Sequence, residues 1–251
     1  MCRHLAYLGP PIPLSRLLFE PAHCLEHQSW APADMRGGGT VNADGFGIGW
    51  FPSQAKTPLR YRRERPLWTD ADLPALAAAT SSGAILAAVR SATVGMPVTE
   101  AAVAPFLHER WLFSHNGKVT GWPDSIAGLA AVLPTRDLLT LDAPTDSALL
   151  WALVRRHLRS GAPPGDALRA VVAEVRAEAP GSRLNLLLTD GETVAATVHG
   201  HALSVLQSPD SVLVSSEPLF PSPAWHAVAE DSLLVATAST VDILALEGVS
   251  S

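Results

Sequence analysis

Cysteine is scarce in this chain. Two occur in 251 residues, Cys2 and Cys24, too few for the disulfide framework of a small secreted scaffold and suited to a reducing compartment. The cytoplasm is therefore the expected location. Charge is also sparse: Asp, Glu, Lys and Arg make up 17% of residues, with a formal net charge of -6. A nucleic-acid-binding face needs the opposite sign, so nucleic acid is not an expected partner. No apolar run is long enough to cross a bilayer, and no membrane partner is expected. The first residues lack a basic stretch followed by an apolar one, so no signal peptide is expected. Internal repeats and linkers are absent from the sequence. Metal motifs are absent too. His23 and His27 stand four apart, as on one helix face, and His199 and His201 alternate, as on one strand face, but neither pair has the Cys or carboxylate neighbours of a metal centre. They read as surface histidines, and no metal or cofactor is expected.

What is abundant is apolar: 47% of residues, enough for a sizeable core. The length suits one domain over residues 1–251. Leu5–Tyr7 reads as a short strand broken by Pro10, Pro11 and Pro13. Residues Ala33–Gly39 read as loop. In Asn42–Trp50, Phe46 onward forms a glycine-spaced strand entered by a tight turn, whose glycines allow close backbone approach, with Leu59–Arg62 as partner. Asp72–Ser81 is a predicted helix. Ala84–Arg90 and Trp111–His115 are predicted strands, the second running into a turn at Asn116-Gly117. Leu149, Leu150, Leu153, Val154 and Leu158 recur at helical spacing from Thr145 onward, until Gly161, Pro163 and Pro164. Leu168, Val171, Val172 and Val175 mark a second helix, ended by Pro180-Gly181. Strands return at Leu184–Leu188, Val194–Val198, Leu203–Leu206, Val212–Ser215 and Leu233–Thr237, with Asp190-Gly191 a hairpin turn. Strands, then helices, then strands predict an α+β fold of stacked layers.

Several residues can carry chemistry. Removal of Met1 would leave Cys2 with a thiol and an α-amine a few ångströms apart. Their ordinary pKa values, about 8.5 and about 7.7–8.0, let the amine accept the thiol's proton near neutrality, and the thiolate is the nucleophile. Asn116-Gly117 has two readings. One is the common hairpin turn. The other is an oxyanion hole, the Asn amide and the Gly N–H pointing at one oxygen. Arg90 closes an otherwise apolar strand, where it could pair structurally or clamp a carboxylate, with Thr93 adding a hydroxyl. Asp146 stands where a helix begins, either as a terminus partner or as a group for a substrate ammonium. Arg90 and Asp146 together would recognise an α-amino acid head. Ser215-Ser216-Glu217-Pro218 is a site loop or a strand end; spacing does not separate the two.

In this order, Cys2, Arg90-Ser91-Ala92-Thr93, Asn116-Gly117 and Asp146 resemble the class II glutamine amidotransferases. The resemblance implies a four-layer αββα sandwich of two antiparallel sheets, the N-terminal nucleophile hydrolase fold. It implies Cys2 as nucleophile, Asn116 and Gly117 as oxyanion donors, and Arg90, Thr93 and Asp146 as binders of the glutamate head. Ser91, Val94 and Ala148 depart from residues common in that family. A closer similarity, carried by Met1–Gly9, Asp44–Trp50, Ser114–Gly117 and Ser216–Leu219, is to the amidohydrolases of ergothioneine biosynthesis. It implies a small-molecule γ-glutamyl substrate, γ-glutamyl-hercynylcysteine sulfoxide, split to glutamate and hercynylcysteine sulfoxide. The alternative is a glutaminase component feeding ammonia to a separate synthase, and the lack of a following synthase domain favours the hydrolase. Trp30, Trp50 or Trp122 could face the leaving group's trimethylammonium.

Overall fold

The computed structural model describes residues 2–36, 41–53, 55 and 57–246. Met1, on which the free amine of Cys2 depends, lies outside the described residues, as do Gly37, Gly38 and Gly39 of the expected loop. The strands are β1 (Arg3–Pro13), β2 (Phe46–Trp50), β3 (Leu59–Arg63), β4 (Ser81–Val89), β5 (Phe106–His108), β6 (Trp111–Lys118), β7 (Arg183–Thr189), β8 (Val194–Val198), β9 (Ser204–Gln207), β10 (Val212–Ser215), β11 (Trp225–Ala227), β12 (Ser232–Ala236) and β13 (Val241–Ala245). The helices are α1 (Ser15–Leu18), α2 (Leu25–Trp30), α3 (Leu73–Ala79), α4 (Ala127–Ala131), α5 (Thr135–Leu139), α6 (Asp146–Arg159) and α7 (Pro164–Glu178).

Two antiparallel sheets form, a seven-stranded one in the order β11-β9-β10-β1-β4-β2-β3 and a six-stranded one in the order β13-β12-β8-β7-β6-β5. Strand alternation separates three apolar layers. On β4, Ile85, Ala87 and Val89 pack with Leu17, Leu18, Leu25 and Leu73 of the first three helices. Ala84 and Leu86 point the other way and meet Leu112, Leu187 and Ala196 of the six-stranded sheet. The outer face of that sheet, Phe113, Leu184, Leu186 and Leu188, packs on α6 and α7. The order is helices, sheet, sheet, helices, the αββα layering expected from the resemblance.

Most predicted strands and both long helices appear within a residue or two. Three differences have physical causes. The first strand does not break at its prolines: β1 runs to Pro13. Its pairing with β10 ends at Leu8, and its register with β4 shifts between Leu8 and Ile12. Beyond Leu8 the prolines thus lie where the β10-side donors are not needed. The first long helix stops at Arg159, ahead of Gly161, Pro163 and Pro164 as expected, but Pro164 also opens α7, where a missing N–H costs nothing. Asn116-Gly117 is not a turn. Both lie inside β6, which stays paired with β7 through Lys118↔Arg183. Gly117 is there because of close approach: a Cβ would stand 1.9 Å from the Arg183 carbonyl oxygen.

Candidate active site

Cys2 sits one residue before β1, the central strand of its sheet. Arg3 pairs with Val89 of β4, which places Cys2 beside Arg90 and Ser91. The thiol lies 3.8 Å from the Ser91 carbonyl oxygen. Alternation along β1 puts Cys2, His4, Ala6 and Leu8 on the face that looks across to the other sheet. His4 confirms this: its Nδ1 is 3.1 Å from Ser114 Oγ on β6. The same alternation on β6 directs Leu112, Ser114 and Asn116 inward. His115 faces the helices, where its Nδ1 lies 2.9 Å from Ser147 Oγ at the start of α6 and its Nε2 lies 3.0 Å from the Arg183 carbonyl oxygen.

Arg90 extends β4 by one residue. Its N–H donates to the Gly45 carbonyl at 2.7 Å, and its carbonyl accepts from Asp44 N–H at 2.9 Å. Asp44 Oδ2 also accepts the Ala92 N–H at 2.7 Å, so the turn before β2 pins residues 90–92. β2 itself approaches its neighbours as closely as its glycines suggest: a Cβ on Gly47 would be 2.2 Å from the Ala104 carbonyl oxygen. The Arg90 Nη1 is buried without a hydrogen-bond partner. A buried cationic donor left unpaired is costly unless a ligand supplies the acceptor, and a carboxylate is the acceptor shaped for it.

Asp146 is the first residue of α6. Thr145 is the cap, its Oγ1 accepting Ala148 N–H at 3.2 Å. The Asp146 carboxylate is buried and accepts Val119 N–H at 3.0 Å and Ser147 N–H at 2.7 Å. The helix-terminus reading of Asp146 therefore holds, and the same residue also lines a cleft.

Five of the six nominated residues line three different spaces, while Gly117 lines none of the three and stands next to Asn116 on β6. Cys2 and Arg90, with Ser114, His115 and Ser147, line a closed space of about 20 Å³ between the sheets. Thr93 and Asp146 line an open cleft of about 380 Å³ with Met96, Lys118 and Trp122. Asn116 lines a third, very small space with Arg3, His201, Ser216 and Glu217. The spaces adjoin along the chain, through Arg90 to Thr93, Asp146 to Ser147 and His115 to Asn116. Of the three tryptophans, Trp122 borders the cleft. Trp50 packs on the outer core, and Trp30 is half exposed beside His27.

Sequence reasoning missed a buried polar group around Cys2. Arg3 is buried and its Nε lies 2.6 Å from Glu217 Oε1. Burial raises the Glu217 pKa, but His23, the Ala33 N–H and Arg3 outweigh it and bring it to about 2. His4 falls to about 3, mainly through burial and then through His115, His201 and Arg3. His201 falls to about 3 by burial, aided by Arg183, His115 and Arg3. The surface reading is thus wrong for His201, which is 2% exposed with both ring nitrogens unpartnered. His199 and His201 also lie beyond β8, where the Asn185 side chain accepts both of their N–H groups and the His199 carbonyl accepts the Leu184 N–H at 2.7 Å. Only the Ser216-Glu217 stretch had signalled part of this group. Among the described residues, His199, Glu230 and Asp231 bring ligand-type atoms within 4.8 Å of one another at the surface.

A family model for class-II glutamine amidotransferases matches residues 19–210. The chain belongs to that family. Within it, the chain is 40% identical over 235 residues to the γ-glutamyl-hercynylcysteine sulfoxide hydrolase of Mycolicibacterium smegmatis, covering 93% of this chain and 95% of that protein. It is 38% identical over 247 residues to the protein of the same name from Mycobacterium tuberculosis, covering 98% and 97%. Among solved structures, a class-II glutamine aminotransferase domain protein from Silicibacter pomeroyi superposes with a TM-score of 0.70 at 24% identity, covering 97% of this chain and 99% of that one. That likeness supports the family's fold. No helix among the described residues is long and apolar enough to cross a membrane.

Proposed function

We propose that this chain is a cytoplasmic, single-domain thiol amidohydrolase that removes glutamate from γ-glutamyl-hercynylcysteine sulfoxide. The observation that carries the substrate is the 38–40% identity, over nearly the whole chain, to hydrolases of that name. In the proposed reaction Met1 is removed and the Cys2 α-amine takes the thiol proton. The sulfur attacks the γ-carbonyl carbon, and the carbonyl oxygen becomes an oxyanion held by the Asn116 amide and the Gly117 N–H. Collapse expels the amine, which takes the proton back from the α-ammonium. Water then cleaves the glutamyl thioester to give glutamate and the free thiol. Arg90, with Thr93, receives the α-carboxylate, and Asp146 the α-ammonium. The unpartnered Arg90 Nη1 and the carboxylate of Asp146 in the adjoining cleft support this placement.

The test is incubation with γ-glutamyl-hercynylcysteine sulfoxide beside glutamine, with glutamate release measured and the N-terminus of the protein weighed by mass spectrometry. The sulfoxide should be cleaved faster, by protein beginning at Cys2, and Cys2→Ala should abolish turnover. Preferential glutamine hydrolysis would support an ammonia-supplying glutaminase instead. Turnover by Cys2→Ala would end the thiol mechanism.

A further inference from the structure

A buried ion pair directly behind the nucleophile takes no part in the proposed chemistry. Arg3 and Glu217 are 2% and 3% exposed, and every hydrogen-bonding side-chain atom of both is engaged. From Arg3, Nε donates to Glu217 Oε1 at 2.6 Å, Nη1 to the Cys2 carbonyl oxygen at 2.9 Å, and Nη2 to the Asp34 carbonyl oxygen. Glu217 Oε1 also accepts Asp34 N–H at 3.2 Å. Its Oε2 accepts Ala33 N–H at 2.8 Å and lies 2.5 Å from His23 Nε2. The neighbouring Ser216 N–H donates to the His4 carbonyl at 2.9 Å, and its Oγ accepts the His4 N–H at 3.0 Å.

Stability does not account for such a pair, since apolar side chains of the same volume would often serve as well. What apolar side chains cannot do is hold the main chain on both sides of the site at once. Cys2 lies outside the β1 ladder, so its own strand does not fix its carbonyl. One planar guanidinium fixes that carbonyl, and the carboxylate behind it fixes residues 33 and 34 of the neighbouring loop.

We propose that Arg3, Glu217 and His23 form a positioning relay that sets the main-chain orientation of Cys2, and with it the direction of its amine and thiol, while docking the loop at Ala33-Asp34 beside it. The relay rests on the reading of Cys2 as nucleophile. It does not touch substrate. It acts on the attack geometry and leaves the glutamate-head groups Arg90, Thr93 and Asp146 alone. Misplacing a reacting group by about 1 Å can cost about a hundredfold in rate.

Arg3→Lys keeps the charge but replaces a fork that spans three acceptors by a single point. Glu217→Gln keeps the shape and loses the charge. For both, kcat for glutamate release from γ-glutamyl-hercynylcysteine sulfoxide should fall about tenfold to a hundredfold, with KM within about threefold of wild type because the head-binding groups are unaltered. Alkylation of Cys2 by iodoacetamide, followed by mass spectrometry, should slow in parallel, and it reads nucleophile geometry without any substrate. His23→Gln, at the solvent side of the relay, carries the same test should a central variant fail to fold. Its kcat should drop severalfold at unchanged KM. Wild-type kcat and alkylation rate in a folded variant of any of the three would overturn the relay. A rise in KM alone would do so as well. Wild-type protein that cleaves neither the sulfoxide nor glutamine would count against the proposed function. The alkylation series would still decide the relay in that case.

Discussion

The two histidines buried behind Cys2 make this fold sensitive to mild acid. His4 and His201 are 1% and 2% exposed, and both are held near a pKa of about 3. In the unfolded chain each titrates near 6.5. As pH falls below that value the unfolded state takes up protons that the folded state refuses, so stability declines with acidification. From about pH 7.5 to about pH 5 each group accounts for about 2 kcal/mol, at about 1.36 kcal/mol per pH unit below about 6.5, and the pair for about 4 kcal/mol. The figure is insensitive to the folded value as long as that value stays below the acid end of the window. A domain has only about 5–15 kcal/mol to lose. Glu217 does not blur the result: its depressed pKa contributes stability above 4.5 that is lost only as pH falls towards about 2. Glu26, raised by burial, acts with the opposite sign. The assay is urea unfolding at about pH 7.5, 6.5, 5.5 and 5, compared with His201→Gln, for which the decline should shrink to about half. Unfolding free energies that differ by less than about 1 kcal/mol across the series would refute the assignment of two neutral buried imidazoles.

Three further outcomes follow from the site. Arg90→Met should raise KM for the γ-glutamyl substrate by about tenfold to a hundredfold, the value of a hydrogen-bonded charge, with a smaller change in kcat. Asn116→Ala should lower kcat by about 10²–10³ with KM little changed, if its amide holds the oxyanion. Gly117→Ala should yield little folded protein, because its Cβ would stand 1.9 Å from the Arg183 carbonyl oxygen across the β6–β7 ladder. Normal expression and melting of that variant would contradict the packing.

Cys2, Arg90, Asn116 and Asp146 were legible as a set through their chain order and the resemblance it carries, because each alone has a common structural reading: an ion pair for Arg90, a turn for Asn116-Gly117 and a helix terminus for Asp146. The strands that carry them were legible from alternation, and α6 and α7 from helical spacing. The short strands β5, β11 and β13, of three to five residues, carry too little pattern to stand out and exist because a neighbouring strand offers an edge. Asn116-Gly117 shows the limit of local reading. As a dipeptide it signals a turn, yet pairing with Asn185 and Leu184 keeps it extended.

Local sequence thus determined α3, both long helices and most strands, since periodicity is a property of neighbours in the chain, while the αββα layering and the list of site residues came through the resemblance. Tertiary structure alone decided that Glu217 lies behind Cys2, across 214 positions from Arg3. It alone put His201 in the interior and distributed five of the six nominated residues over three adjoining spaces. Burial and ion pairing depend on what the fold brings from the far end of the chain. No local pattern encodes that company.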